Sequence, residues 1–151
     1  MMLASLRRMG FGLSLILAVA LCGCTLKLVA DYDQASVDKI GVAYERIDRM
    51  YERLAAAPAA ERTFDKFADD WSGIATDLRG ISLRQKARTT NDESTEILDR
   101  MVASWEASRA KHKQRSGADS ENAYPDSLIA LDRQQLEAEF VAALSAERFK
   151  Q

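Results

Sequence analysis

The spacing of apolar residues is the feature that most constrains the fold of this chain. Between Gln34 and Ala57, apolar side chains recur three and four residues apart, and charged side chains occupy most of the positions between them. The apolar positions are Val37, Ile40, Tyr44, Ile47, Tyr51 and Leu54. Residues at this period lie on one face of an α-helix. The segment therefore predicts an amphipathic helix whose apolar face must be buried against another element.

Three further segments repeat this pattern. The second extends from about Ala59 to Ala87, and its apolar positions are Phe64, Phe67, Trp71, Ile74, Leu78 and Ile81. The third begins near Thr90, and its apolar positions are Ile97, Leu98, Met101, Val102 and Trp105. The fourth begins at Pro125 or Asp126, and its inward positions are Leu128, Ile129, Leu136, Phe140, Val141, Leu144 and Phe149. Each segment is long enough for several helical turns.

Helix breaks separate the four segments. Pro58 ends the first segment, or lies in the first turn of the next helix. A Thr-x-x-Glu spacing at Thr90 is that of a capping box and starts the third helix. Ser116 and Gly117 end the third helix ahead of a loop that we expect to be exposed up to Tyr124. The connections at the first two breaks are short, which favours antiparallel neighbours.

These segments predict an all-α fold, an antiparallel up-down four-helix bundle in a single domain. Only seven Gly and two Pro occur among 151 residues, which also favours helix over sheet. The alternative is a helical hairpin or an elongated coiled coil that buries its apolar faces against a partner. Gly73 and Gly80 lie inside the second helix, where they either allow a close approach of another helix or permit a bend.

The first 24 residues have the features of a secretory signal. Arg7 and Arg8 precede an apolar run over residues 10–21, and no acidic residue occurs there. Because a helix needs about 20 apolar residues to cross a bilayer, this run is too short to span one. A basic start, a short apolar stretch and small residues are typical of a cleaved signal peptide. The alternative is an uncleaved membrane anchor.

The end of this signal resembles the lipobox of bacterial lipoproteins, with Leu21 at −3, Gly23 at −1 and Cys24 at +1. The residues that follow, from Cys24 to Asp33, resemble the mature start of small Gram-negative lipoproteins. The resemblance implies that residues 1–23 are removed with Cys22, that residues 24–33 form a lipidated tether, and that residues 34–151 form the bundle. Thr25 stands where an Asp would resemble the inner-membrane retention signal, so we expect the outer membrane, facing the periplasm.

Few residues have the arrangement of a catalytic or metal site. The single histidine, His112, lies between Lys111 and Lys113, so we expect it at a solvated helix end. The adjacent acids Asp69 and Asp70 point in different directions on a helix. We therefore expect no enzyme activity, no cofactor and no metal.

The charged residues also restrict the classes of partner. A formal net charge of −2 excludes general nucleic-acid binding. Two basic groups, at Arg79, Arg84, Lys86 and Arg88 and at Arg109–Arg115, are expected at solvated helix ends. Residues 31–33, Asp-Tyr-Asp, are expected to cap the first helix.

The sequence thus predicts a non-catalytic envelope lipoprotein, anchored to the membrane through Cys24, that binds an envelope protein or has a structural role. Its contact surface would be an exposed strip of the first or fourth helix, or the loop from Ser116 to Tyr124. The alternative function is a carrier of a small ligand or lipid. Its cavity between helices would be lined by Phe64, Phe67, Trp71 and Trp105.

Overall fold

The structure, a computed structural model, describes residues 28–118 and 124–151, and for residues 117 and 118 only the backbone. Its helices are α1 (Gln34–Ala56), α2 (Phe64–Lys86), α3 (Asp92–Ala118) and α4 (Asp126–Arg148), with a short 3-10 turn at Ala59–Glu61. No strand occurs in these described ranges. The prediction of an all-α four-helix fold is therefore confirmed. The predicted signal peptide and Cys24 lie outside the described residues.

The four helices form a ring in which each helix packs against two others. α1 contacts α2 and α4, and α3 contacts the same two helices. Because consecutive helices are neighbours joined by short connections, the chain reverses direction at each one. This confirms the antiparallel up-down bundle. Among the described residues, no helix has the length and apolar character needed to cross a membrane.

The bundle has two ends that differ in the residues that close them. The near end comprises residues 28–36, 83–94 and 147–150, and the far end comprises residues 54–64, 112–116 and 124–132. The amide of Ala30 donates to the carbonyl of Thr90 over 3.0 Å, which joins the start of the described chain to the near end.

The core consists of the predicted apolar faces. All six predicted positions of α2 are buried, as are Ile40, Ile47, Tyr51 and Leu54 of α1. On α4 the prediction was wrong at two positions, because Val141 is 58% exposed and Phe149 is 89% exposed. The buried stripe of α4 includes Leu136, Phe140 and Ala143. Val141 follows Phe140 directly, so it is rotated about 100° away from that stripe.

Two predicted helix starts had different outcomes. Asp33 caps α1 as expected, since its side chain accepts a hydrogen bond from the amide of Ala35. The prediction of a capping box that starts at Thr90 was wrong. Thr90 has a φ of 56°, and its hydroxyl donates to the carbonyl of Thr89. α3 instead begins one residue later, after Asn91, whose carbonyl accepts the amide of Thr95 over 3.1 Å.

Gly73 and Gly80 are in different surroundings. A Cβ atom on Gly73 would lie 2.8 Å from Nη2 of Arg46, so this glycine permits a close approach of an α1 side chain. A Cβ atom on Gly80 would meet no atom within 4 Å. At Gly73 the neighbour is thus the end of an α1 side chain, and neither glycine has the backbone of another helix within 4 Å of its Cβ position.

Candidate functional site

The structure brings together the four aromatic residues predicted to line a cavity. Trp71 of α2 and Trp105 of α3 are buried, with ring centroids 4.3 Å apart, and the Trp105 indole donates to the Trp71 carbonyl over 3.1 Å. Phe64 and Phe67 pack on the ring of His112, with centroids 5.7 and 6.3 Å from it. The two tryptophan rings are thus in contact with each other, and Phe64, Phe67 and Trp71 each contact the ring of His112.

His112 is buried, so the prediction of a solvated helix end was wrong. Its Nδ1 accepts the indole N–H of Trp71 over 2.9 Å, and its Nε2 lies 2.8 Å from the Arg62 carbonyl. Since a carbonyl only accepts, Nε2 carries the proton and the ring is neutral. Burial lowers the pKa of His112, and the hydrogen bond to the Arg62 carbonyl opposes this shift. The whole side chain of His112 is buried.

Tyr124 is also buried, which overturns the expectation that it lies in an exposed contact loop. Its hydroxyl donates to the carboxylate of Asp132, and its ring lies 4.5 Å from that of His112. Lys111 binds the other oxygen of Asp132 over 3.0 Å. Asp132 is itself buried, and the ammonium of Lys111 balances its charge. These contacts hold the start of α4 against α3.

Arg62 completes the closure of the far end. Its guanidinium donates to the carbonyls of Ala55 and Ala57 over 2.9 and 2.8 Å, and it also contacts the carboxylate of Asp126. The side chain is almost fully buried beside these acceptors. A single arginine therefore ties the end of α1 to the start of α4.

The near end contains a second buried polar cluster. Glu147 is buried between Arg88, at 3.2 Å, and Lys150. The ammonium of Lys150 also contacts the Ser94 hydroxyl over 2.7 Å and the Asn91 side chain. This cluster joins the end of α4 to the turn between α2 and α3.

The sequence predicted a solvated basic group at the end of α2. In the structure its cations are also paired. Each of its four cations has a carboxylate partner on another part of the chain. The pairs are Arg79 with Glu106, Arg84 with Asp33, Lys86 with Asp99 and Arg88 with Glu147. The carboxylates lie on three different segments, so the sequence neighbourhood of α2 contained no signal for them.

A groove of about 590 Å³ lies between α1 and α2. Apolar and small residues in it are Val42, Ala43, Gly80 and Ile81. Two ion pairs border these residues, one between Arg46 and Asp77 and one between Arg84 and Asp33. Val42 is exposed, although it lies within a helix that packs on two others. The groove can therefore accept an apolar side chain from outside the bundle.

Among the described residues, no three His, Cys, Asp or Glu side chains lie close enough together to hold a metal ion. No protein-family model, curated protein or solved structure matches this chain. The function must therefore be inferred from its own residues and geometry.

Proposed function

We propose that this chain is a non-catalytic lipoprotein of the cell envelope, anchored through Cys24, that binds another envelope protein through its helical bundle. The observation that carries this proposal is the attachment of the start of the described chain. Ala30 is buried and hydrogen-bonded to Thr90, and Arg88 contacts the carbonyl of Asp31. Ala30 is only six positions after Cys24, a span of at most about 22 Å. A lipid on Cys24 would thus hold a folded bundle close to the membrane.

The buried groups support a role without catalysis. His112 and Asp132 are the residues of the far end that would be expected in acid–base chemistry, and both are buried. Each is bound by neighbours that hold a helix end in place. Their geometry is that of groups that join helices, since a general base must reach a substrate proton.

The groove between α1 and α2 is the surface we propose for the partner. It includes a part of the first helix, one of the strips expected from the sequence. Of the loop expected as the other contact surface, residues 119–123 lie outside the described residues, and Tyr124 is buried. An apolar strip bordered by charges suits the apolar face of a partner helix. Val42 would be the residue at its centre.

Photo-crosslinking in living cells tests both parts of the proposal. A photoreactive amino acid replaces Val42 in the groove, and the matched control carries it at Val141, which is equally exposed on α4. We expect a crosslinked envelope protein from position 42 but not from position 141. We also expect a diacylglyceryl group on Cys24 by mass spectrometry, and loss of the crosslink in Cys24→Ala.

Equal crosslinking from both positions, or none from position 42, would contradict the groove as the binding surface. An unmodified Cys24 would contradict the anchor. The alternative function, a small-ligand carrier, requires that a ligand separate the rings of Trp71 and Trp105. Native mass spectrometry of the purified protein would detect such a ligand as added mass.

A further inference from the structure

Exposed apolar side chains are concentrated at the near end of the bundle. Phe149 is 89% exposed, Leu28 76%, Leu83 69% and Val29 53%. Leu28 and Val29 directly precede Ala30, Leu83 lies in the last turn of α2, and Phe149 follows the end of α4. Of the other large exposed apolar residues, Val42 and Val141 lie along the sides of α1 and α4, and Leu131 lies at the far end. A cluster of this kind at one end indicates an interaction surface.

The near end holds these side chains on a fixed framework. Ala30 is bound to Thr90 immediately after Val29. The amide of Phe149 donates to the Ser145 carbonyl over 3.0 Å, and the next residue, Lys150, is buried in the cluster with Glu147. The backbone on the C-terminal side of Val29 and the backbone of Phe149 are therefore tied to the bundle.

The distance to Cys24 limits what can cover this end. Leu28 is four positions after Cys24, a stretch that spans at most about 14 Å when fully extended. The acyl chains of a lipidated Cys24 lie in the hydrocarbon core, and the interfacial layer on each side is about 5–8 Å thick. Leu28 and its neighbours must then lie at or close to the lipid headgroups.

The exposed charges at this end are of both signs. Arg148 is exposed, and so are Asp31, Asp92 and Glu93. The charges therefore do not favour anionic over neutral headgroups, and the exposed apolar groups determine the contact with lipid.

We infer that the near end rests on the phospholipid surface, with Phe149, Leu28 and Val29 entering the boundary between headgroups and acyl chains. The bundle then stands upright, since helices of 23 residues are about 34 Å long and the far end points away from the membrane. This inference rests on the proposed anchor at Cys24. It adds an orientation, which presents the groove between α1 and α2 at a set height above the lipid.

Lipid-quenching of a fluorescent label tests the orientation in the full-length lipidated protein. The label is attached to Phe149→Cys, and in the matched control to Leu131→Cys, which is 55% exposed on the same helix. The two positions are 18 residues apart, or about 27 Å along α4. The protein is reconstituted in vesicles of phosphatidylethanolamine and phosphatidylglycerol that contain spin-labelled lipid. Circular dichroism checks that both variants are folded.

We expect several-fold stronger quenching by the spin-labelled lipid at position 149 than at position 131. Equal quenching at both positions would overturn the inference, because the bundle would lie on its side. Absence of quenching at 149, in protein that carries lipid on Cys24 and floats with the vesicles, would overturn the inference and leave the proposed function standing. A label at 149 shielded from aqueous iodide but not reached by lipid would indicate a protein or second copy there, and would also overturn it. An unlipidated Cys24 would overturn both.

Discussion

His112 accepts a hydrogen bond from the indole N–H of Trp71 on Nδ1, and its Nε2–H donates a hydrogen bond to the carbonyl of Arg62. The neutral ring therefore satisfies two polar groups that are buried with it. A second proton would fall on Nδ1 and would break the hydrogen bond from Trp71. The protonation of one side chain thus determines how well the far end stays closed.

We expect the stability of the folded protein to decrease as the pH falls below about 6.5. Burial lowers the pKa of His112 in the folded state, whereas in the unfolded chain it stays near 6.5. The unfolded state binds the proton more readily, so the contribution of His112 is fully present above pH 6.5 and is lost as the pH falls towards the folded pKa. The slope is at most about 1.4 kcal/mol per pH unit. Urea unfolding between pH 7.5 and 5 measures it.

The variant His112→Gln is the control for this slope. A glutamine can accept from Trp71 and donate to the Arg62 carbonyl, but it does not titrate. We expect a lower free energy of unfolding at pH 7.5, because the ring contacts with Phe64 and Tyr124 are lost. Its slope between pH 7.5 and 5 should be smaller than that of the parent chain. An unchanged slope would show that other groups cause it.

The burial of His112 had a signal in the sequence. Met101, Trp105, Ser108 and His112 are spaced four, three and four residues apart, so His112 continues the buried stripe of α3. The cationic neighbours of His112 instead indicated a solvated helix end. Asp132 lies in the same way between Ile129 and Leu136 on α4. A polar residue at a position of the apolar stripe is therefore predicted to be buried. The sequence of that helix does not identify its hydrogen-bond partner.

At the scale of the helices, Asp33 has two roles at the start of α1. Its carboxylate accepts the amide of Ala35 as an N-cap, and it also accepts two hydrogen bonds from the guanidinium of Arg84. The hydrogen bond from Arg84 holds the pKa of Asp33 well below its usual range, although partial burial opposes this. The sequence predicted the cap. The hydrogen bonds between Asp33 and Arg84 of α2 are seen only when the two helices are packed together.

We expect Asp33→Ala to lower the free energy of unfolding at pH 7 by at least about 1 kcal/mol, the usual cost of losing an N-cap. Asp33→Asn should retain the cap and lose only the charge that Arg84 binds. Because the folded pKa is lowered, the contribution of this charge is present above about pH 4 and is lost as the pH falls below it. Urea unfolding at pH 7 and at low pH compares the variants. Equal free energies of unfolding of Asp33→Ala and Asp33→Asn at pH 7 would contradict the role of Asp33 as an N-cap.

The two glycines of α2 offer a matched pair. Gly80→Ala should stabilise the protein by up to about 1 kcal/mol, since the methyl group meets open space and alanine favours helix. Gly73→Ala should stabilise it less, or destabilise it, because the methyl group displaces Arg46 from its ion pair with Asp77. Thermal unfolding of both variants measures the difference. A larger gain in stability from Gly73→Ala than from Gly80→Ala would contradict the close approach of Arg46.

At the scale of the whole molecule, no helix buries its apolar face alone. Each packs against two neighbours, and the buried clusters at both ends join segments that are distant in sequence. Removal of one helix would expose the apolar faces of two others. The bundle should therefore unfold as one cooperative unit.

This cooperativity predicts coincident unfolding transitions. Trp71 and Trp105 are buried at the contact of α2 and α3, so their fluorescence reports on tertiary packing. Far-ultraviolet circular dichroism reports on the helices. We expect the two signals to have the same urea midpoint, with a red shift of the emission on unfolding. Loss of the fluorescence signal before the loss of helicity would contradict a single cooperative unit.

The number of helices, their approximate bounds and most of their buried faces were determined by the sequence alone. These properties depend on the order of residues within one segment, as in the stripe from Phe64 to Ile81. Pro58 and the cap at Asp33 are equally local signals. The sequence predicted only one wall of the groove between α1 and α2, the exposed strip of the first helix. The other wall belongs to another segment.

Only the tertiary structure decided which polar groups are buried and what they bind. His112 meets Trp71 across 41 residues, Arg84 meets Asp33 across 51, and Arg88 meets Glu147 across 59. No local pattern specifies such a partner, because the energy of a buried charge or polar group depends on atoms supplied by other helices. Periodicity within a segment selects the face that is buried. The neighbouring helices then determine whether a polar residue on that face is satisfied, and so how each end of the bundle is closed.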